Sequence, residues 1–243
     1  MKIKKVRVNT MEHKNNCLIC GKELIYTDTA EEMRCVYCKE TFESNVKCEE
    51  GHYVCDKCHS MSASEIIKRY CLDTESENPI EIMMKLLKHP SIKMHGPEHH
   101  FLVPAVLLAA YYNKKGDRVN KEAKIIEAQK RSSNVPGGSC GFCGTCGAGV
   151  GTGIFMSLIT GATPLSGEQW SFSNMMTSNS LKIIAENGGP RCCKRNSYLA
   201  VLKAVEFLDE NIGVKLKVDR NIKCEYSDLN KECRRENCLF YHE

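Results

Sequence analysis

The sequence predicts a mainly α protein: a helical core domain with a small N-terminal zinc-ribbon or cross-brace module and a C-terminal zinc knuckle. Two observations carry that reading. Cysteine supplies 16 of the 243 residues and gathers at both ends and in one central loop, largely as CxxC pairs. Between the ends, apolar residues recur at helical spacing and are punctuated by Gly and Pro. The expected divisions are residues 1–60 for the zinc module, 61–213 for the helical core with a central Cys-rich metal or redox site, and 214–243 for a short strand and a CCCH-like knuckle.

Each helix has its own signal. Ser62 to Glu65 has the S-x-x-E form of a capping box ahead of Ile66, Ile67 and Tyr70. Asn78-Pro79-Ile80-Glu81 reads as an N-cap followed by Pro in the first turn, and Pro90 stops that helix. The helix opened by Pro97 is apolar all round through Leu102, Val103, Val106, Leu107 and Leu108, which predicts the central buried helix. An amphipathic helix is expected near Asn120 to Lys130. Another spans about Gly147 to Thr160, where glycines one turn apart let a neighbouring backbone approach closely. Thr177 to Glu186 ends at Asn187-Gly188-Gly189, and Asn196 to Glu210 ends near Gly213. Val214, Leu216 and Val218 alternate with Lys215, Lys217 and Asp219, predicting a short half-buried strand.

Composition limits the compartment and the partners. Sixteen cysteines in a secreted chain would form disulfides, but the opening MKIKKVRVNTMEHKNN has no apolar signal stretch. CxxC spacing also suits a tetrahedral metal. The expectation is a reducing cytoplasm. The longest apolar run, Phe101 to Tyr112, is too short to cross a bilayer and contains Pro104, so no membrane association is expected. The formal charge of +4 falls once thiolates bind metal, and gives no argument for nucleic acid.

At the N-terminal end the metal-ligand candidates are Cys17, Cys20, Cys35, Cys38, Cys48, His52, Cys55 and Cys58. Each CxxC turn sets two thiolates on one side of a tight loop, and two such sets complete a tetrahedron around zinc. Glu23 to Thr27 and Met33 to Tyr37 are expected to form the hairpin between knuckles. The series resembles a zinc ribbon and a two-zinc cross-brace, with pairing either sequential or crossed. At the C-terminal end Cys224, Cys233, Cys238 and His242 have C-x8-C-x4-C-x3-H spacing, similar to CCCH zinc fingers. Members of that class often bind single-stranded RNA, with Tyr226, Phe240 and Tyr241 here as candidate stacking residues.

The central motif runs from Pro136 to Ala148 and places Cys140, Cys143 and Cys146 in a Gly-rich loop at a helix start. Such a loop can wrap one cube-shaped iron–sulfur cluster, a [4Fe–4S] centre being favoured. The fourth ligand would be Cys192 or Cys193, with Arg191, Lys194 and Arg195 offsetting the cluster's charge. Zinc or a cycling disulfide are the other occupants such thiols allow. His95, Glu98 and His99 are candidate catalytic or metal-binding groups beside a helix start. Cys71 reads as a packing thiol.

These motifs carry a resemblance. His95-Gly96-Pro97-Glu98-His99-His100, Gly138 to Ala148, and Gly188 to Arg195 look like an uncharacterised domain-of-unknown-function family of methanogens and anaerobic bacteria, over the chain from about Cys48 onward. That resemblance implies an anaerobic cytoplasmic protein, sometimes fused to a methyltransferase. A weaker similarity is to C-GCAxxG-C-C proteins, helical proteins of redox or cluster-binding type. Three functions follow as expectations. The first is a cluster-bearing redox or sulfur-handling protein with a redox partner. The second is a zinc-scaffolded adaptor for RNA or protein, aided by Lys2, Lys4, Lys5 and Arg7. The third is an accessory to a methyltransferase partner. Whether the chain is itself an enzyme is left open.

Overall fold

The computed structural model describes residues 17, 19–20, 22–55, 58 and 61–242. The basic residues Lys2, Lys4, Lys5 and Arg7 lie outside them. The chain divides into two compact units, Met1–Cys55 and Asp56–Glu243.

In the first unit β1 (Leu24–Arg34) pairs antiparallel with β2 (Thr41–Cys48), from Leu24 opposite Cys48 to Arg34 opposite Thr41. The expected hairpin is corrected here. Glu23–Thr27 does not pair with Met33–Tyr37; the polar run between them continues the same strand. That run is almost wholly exposed, so it shows no apolar alternation to mark it as strand. The Cys35–Cys38 knuckle is itself the turn between strands. Lys39 adopts a left-handed φ of 61° and donates its amide to the Cys35 carbonyl at 3.0 Å, while the Cys35 amide donates to the Glu40 carbonyl at 2.9 Å.

The second unit is helical. Its long helices are α1 (Ala63–Asp73), α2 (Pro79–Leu87), α3 (Glu98–Lys115) and α4 (Arg118–Ser132). A single turn, α5 (Ser139–Phe142), precedes α6 (Gly147–Thr160), α7 (Glu168–Glu186) and α8 (Cys193–Ile212). The caps follow the sequence: Ser62 Oγ accepts the Glu65 amide, and the Asn78 side chain accepts those of Ile80 and Glu81. Helix α3 is buried from Phe101 to Tyr112 and touches α1, α2, α4, α6 and α8. Its close partner is α6, where a Cβ added at Gly151 would lie 2.8 Å from Pro104 Cδ and 3.0 Å from the His100 carbonyl oxygen.

Two helices begin earlier than the sequence pattern marks. Helix α7 starts at Glu168, a start that the pattern hides because Glu168–Met175 is largely exposed and lacks a stripe of apolar residues. Helix α8 starts at Cys193, so the vicinal cysteines open it rather than precede it. Val214 to Val218 joins no ladder among the described residues, so the expected strand is absent there.

The C-terminal zinc knuckle is also overturned. Among the described residues, Cys224, Cys233, Cys238 and His242 do not bring their ligand atoms within 4.8 Å of one another. His242 is exposed. The segment folds back onto the helical unit instead. The Cys224 amide donates to the Phe240 carbonyl at 2.7 Å, and the Phe240 ring packs on Tyr198 with centroids 5.4 Å apart. Tyr226 and Phe240 are therefore buried rather than displayed for base stacking. No helix among the described residues is long and apolar enough to cross a membrane.

Candidate metal centres and the thiol cleft

Two ligand quartets form at the N-terminal end. Cys17, Cys20, Cys48 and His52 make one, and Cys35, Cys38, Cys55 and Cys58 the other, each with its ligand atoms within 4.8 Å of one another. The quartets interleave along the chain, which is the crossed pairing. The hairpin explains it: pairing of Leu24 with Cys48 brings the end of β2 back beside the first knuckle, while the turn between strands carries Cys35 and Cys38.

Both quartets fit a divalent metal. His52 Nδ1 is buried and has no hydrogen-bond partner, an orphaned lone pair or proton that a metal ion or its outer shell would satisfy. The Cys20 and Cys48 sulfurs are 3.3 Å apart and those of Cys38 and Cys55 3.8 Å, close to the spacing of two thiolates on one zinc. Charge tells the same story. Burial pushes the Cys17 and Cys38 thiols up to about 11. Burial opposes ionisation of Cys48 too, but hydrogen bonds led by the Glu50 amide bring it down to about 7. In Cys35, backbone amides of Cys38, Cys55 and Tyr37 likewise outweigh burial and lower the thiol. Each quartet thus holds one acidified thiol against a suppressed neighbour. A cation in the middle removes that conflict.

The central loop builds something different. Ser139 closes it: the Thr145 amide donates to the Ser139 carbonyl at 3.1 Å, and Ser139 Oγ donates to the Thr145 carbonyl at 3.0 Å. Cys140 and Cys146 then line a cleft of about 590 Å³ with Arg191, Arg195 and Asn196. The Asn196 amide donates to Cys146 Sγ at 3.5 Å. Arg195 Nη2 holds the opposite wall by donating to the carbonyls of Gly188 at 2.6 Å and Pro190 at 3.1 Å. Cys143 is exposed and does not line this cleft. Cys193 is pushed up to about 11 by burial. Among the described residues Cys140, Cys143, Cys146, Cys192 and Cys193 do not converge at single-ion distances. Asn196 was hidden in the sequence, because an amide on an amphipathic helix carries no signal of the sulfur it meets.

Cys192 faces elsewhere. It caps α8, accepting the Arg195 amide at 3.5 Å, and lines a second small cavity with Cys224, Cys233 and Cys238.

The histidine-rich stretch is dispersed. His99 is buried; its Nε2–H donates to the Lys93 carbonyl at 3.1 Å and its Nδ1 accepts the Ser197 hydroxyl at 3.2 Å. Burial drives its pKa down to about 3, so it stays neutral with both nitrogens engaged. Glu98 accepts the Lys93 amide at 2.9 Å. His95 Nε2 meets Asn230 Oδ1 at 3.1 Å. His100 donates through Nδ1 to the Val135 carbonyl at 3.1 Å. His95, Glu98 and His99 therefore form no metal-binding group among the described residues. Cys71 is fully buried, and burial pushes its thiol far up, as a packing thiol requires.

No curated protein and no solved structure matches this chain. A family of unknown function, DUF5714, matches residues 67–241, more than half of the sequence and most of the helical unit, and the chain belongs to that family.

Proposed function

We propose that this chain is a zinc-structured thiol protein with a redox or sulfur-handling role, working in a reducing, anaerobic cytoplasm with a partner protein. Zinc held by Cys17, Cys20, Cys48 and His52, and by Cys35, Cys38, Cys55 and Cys58, has a structural role, since both sets are complete and leave no protein ligand position open for substrate. The chemistry belongs to the cleft of the helical unit.

One observation carries this reading: Cys140 and Cys146 share a single cleft with the guanidinium groups of Arg191 and Arg195 and the amide of Asn196. Two arginines and a sulfur-directed donor beside these thiols suit an anionic sulfur substrate. Among the described residues no nucleophile–base pair of hydrolytic type lines the cleft, and His99 is fully committed to Lys93 and Ser197.

The test is a redox titration of anaerobic protein against dithiol buffers, with each cysteine assigned by differential alkylation and mass spectrometry. Cys140 and Cys146 should change oxidation or persulfide state reversibly between about −350 and −150 mV. Thiols that stay reduced throughout, and that accept no sulfane sulfur from a persulfide donor, would remove the proposal.

A further inference from the structure

Arg191 and Arg195 both line the thiol cleft, but they are not equivalent. Arg195 is 4% exposed, and its guanidinium is committed to the fold. Its Nη2 holds the carbonyls of Gly188 and Pro190, and its Nε donates to Asn196 Oδ1 at 3.3 Å. That last bond fixes the Asn196 amide. With the oxygen turned to Arg195, the nitrogen is the end that faces Cys146 Sγ. Arg195 is therefore a positioning residue for the donor on sulfur. Arg191 is exposed, and no hydrogen bond or ion pair ties it down among the described residues. A free guanidinium presents a planar fork of donors that suits a carboxylate or a similar anion.

The rest of the wall is largely apolar. Leu181, Ile184 and Ala185 come from α7, and Phe142 belongs to the cleft although it is 93% exposed. A volume of about 590 Å³ is in the range that small organic ligands occupy. An inorganic sulfur anion, with the bulk of a few waters at about 30 Å³ each, would leave most of it unfilled. An exposed aromatic ring, an aliphatic wall and one uncommitted guanidinium describe a ligand with an apolar body and an anionic group. The thiols of Cys140 and Cys146 add a group that exchanges with sulfur.

We propose that the cleft takes a small organic disulfide with an apolar body and an anionic group, and that Arg191 selects for the charge. The substrate class rests on the redox reading above. Cys146, as thiolate, attacks one sulfur of the disulfide. A mixed disulfide forms on Cys146 as the substrate's own S–S bond breaks, and the other half leaves as a thiolate with the bonding electron pair. The proton given up by Cys146 passes to solvent or to the leaving thiolate. The exchange needs no outside oxidant or reductant.

The test reacts the full-length chain anaerobically with dithiobis(nitrobenzoate), an anionic aromatic disulfide, and with dithiodipyridine, a neutral one. Peptide mass spectrometry assigns each modified cysteine. The ratio of anionic to neutral rates at Cys146 should exceed that at Cys143, which is exposed outside the cleft, by about fivefold, and should fall as salt is added. Arg191→Gln should bring the ratio at Cys146 down to that of Cys143, Arg191→Lys should keep most of it, and Arg191→Glu should push it below. Phe142→Ala should slow both aromatic reagents at Cys146 about threefold relative to bis(hydroxyethyl) disulfide. Equal ratios at Cys146 and Cys143 in the wild type, a ratio unmoved by Arg191→Glu, or a Cys146 that neither reagent reaches would overturn the proposal. Charge selection absent while Cys146 still cycles in dithiol buffers sinks this assignment alone. Selection kept by thiols that never cycle sinks the redox reading and leaves Arg191 as the anion selector of the cleft.

Discussion

The side-chain amide of Asn196 donates to the sulfur of Cys146 at 3.5 Å, tying the cysteine-rich loop to the first turn of α8. Removing that donor in Asn196→Ala takes from the Cys146 sulfur a hydrogen bond worth about 1 kcal/mol, and its alkylation should slow about fivefold. Asn196→Asp should slow it further, because a carboxylate then faces the sulfur. Rates for Cys143, which is exposed, serve as the control. Equal rates in all three proteins would show that the contact does not act on reactivity.

The N-terminal quartets should carry about two zinc ions in the purified chain. His52→Ala and Cys35→Ser each remove a ligand from a different quartet. Each should lower the zinc content toward about one per chain and raise the sensitivity of the β1–β2 hairpin to a chelator. Inductively coupled plasma mass spectrometry reads the stoichiometry. Two ions retained in both variants would contradict the assignment of ligands.

His99 sets an acid limit on stability. Its native pKa, lowered by burial to about 3, lies below the ordinary value of about 6.5. The unfolded chain therefore binds a proton that the native state refuses as the pH falls below about 6.5. Its contribution is whole above that point and is lost at about 1.4 kcal/mol per pH unit on the way down to about 3. His99→Gln, which has no charge to gain, should flatten the acid limb of a urea-denaturation series by about one proton. An unchanged slope would mean that His99 is accessible to protons in the native state.

The contact between α3 and α6 admits no side chain at Gly151. Alanine in a helix usually gains about 1 kcal/mol over glycine. Here the added methyl meets Pro104 and the His100 carbonyl, and Gly151→Ala should instead destabilise by about 1–3 kcal/mol. Gly137 faces open space, and Gly137→Ala should stay within about 0.5 kcal/mol of the wild type. Chemical denaturation of both variants checks the contrast.

Much of the helical unit was legible because its signals are local. Ser62 and Asn78 announce α1 and α2 by caps that a few neighbouring residues complete, and the apolar run from Phe101 announces a buried α3. The first half of α7 and the middle of β1 were not legible, since exposed polar residues such as Gln169 or Asp28 carry no periodic burial for a pattern to reveal. Residue type alone picked out the eight residues that gather into the two N-terminal quartets. It was silent on which knuckle joins which, because that choice is made by strand pairing between Leu24 and Cys48. The C-terminal spacing pointed to His242 as a partner for Cys224, Cys233 and Cys238. Their neighbour across the cavity is Cys192, and only the long-range fold of the tail onto α8 brings it there.

The interleaving of the two quartets has a topological corollary. A protease cut anywhere between Cys38 and Cys48 leaves each fragment holding ligands of both sets. With metal bound, the severed halves remain cross-linked at two points and migrate as one particle; stripping the metal lets them part. Nicked protein that separates without a chelator would mean the two sets are not bridged by ions.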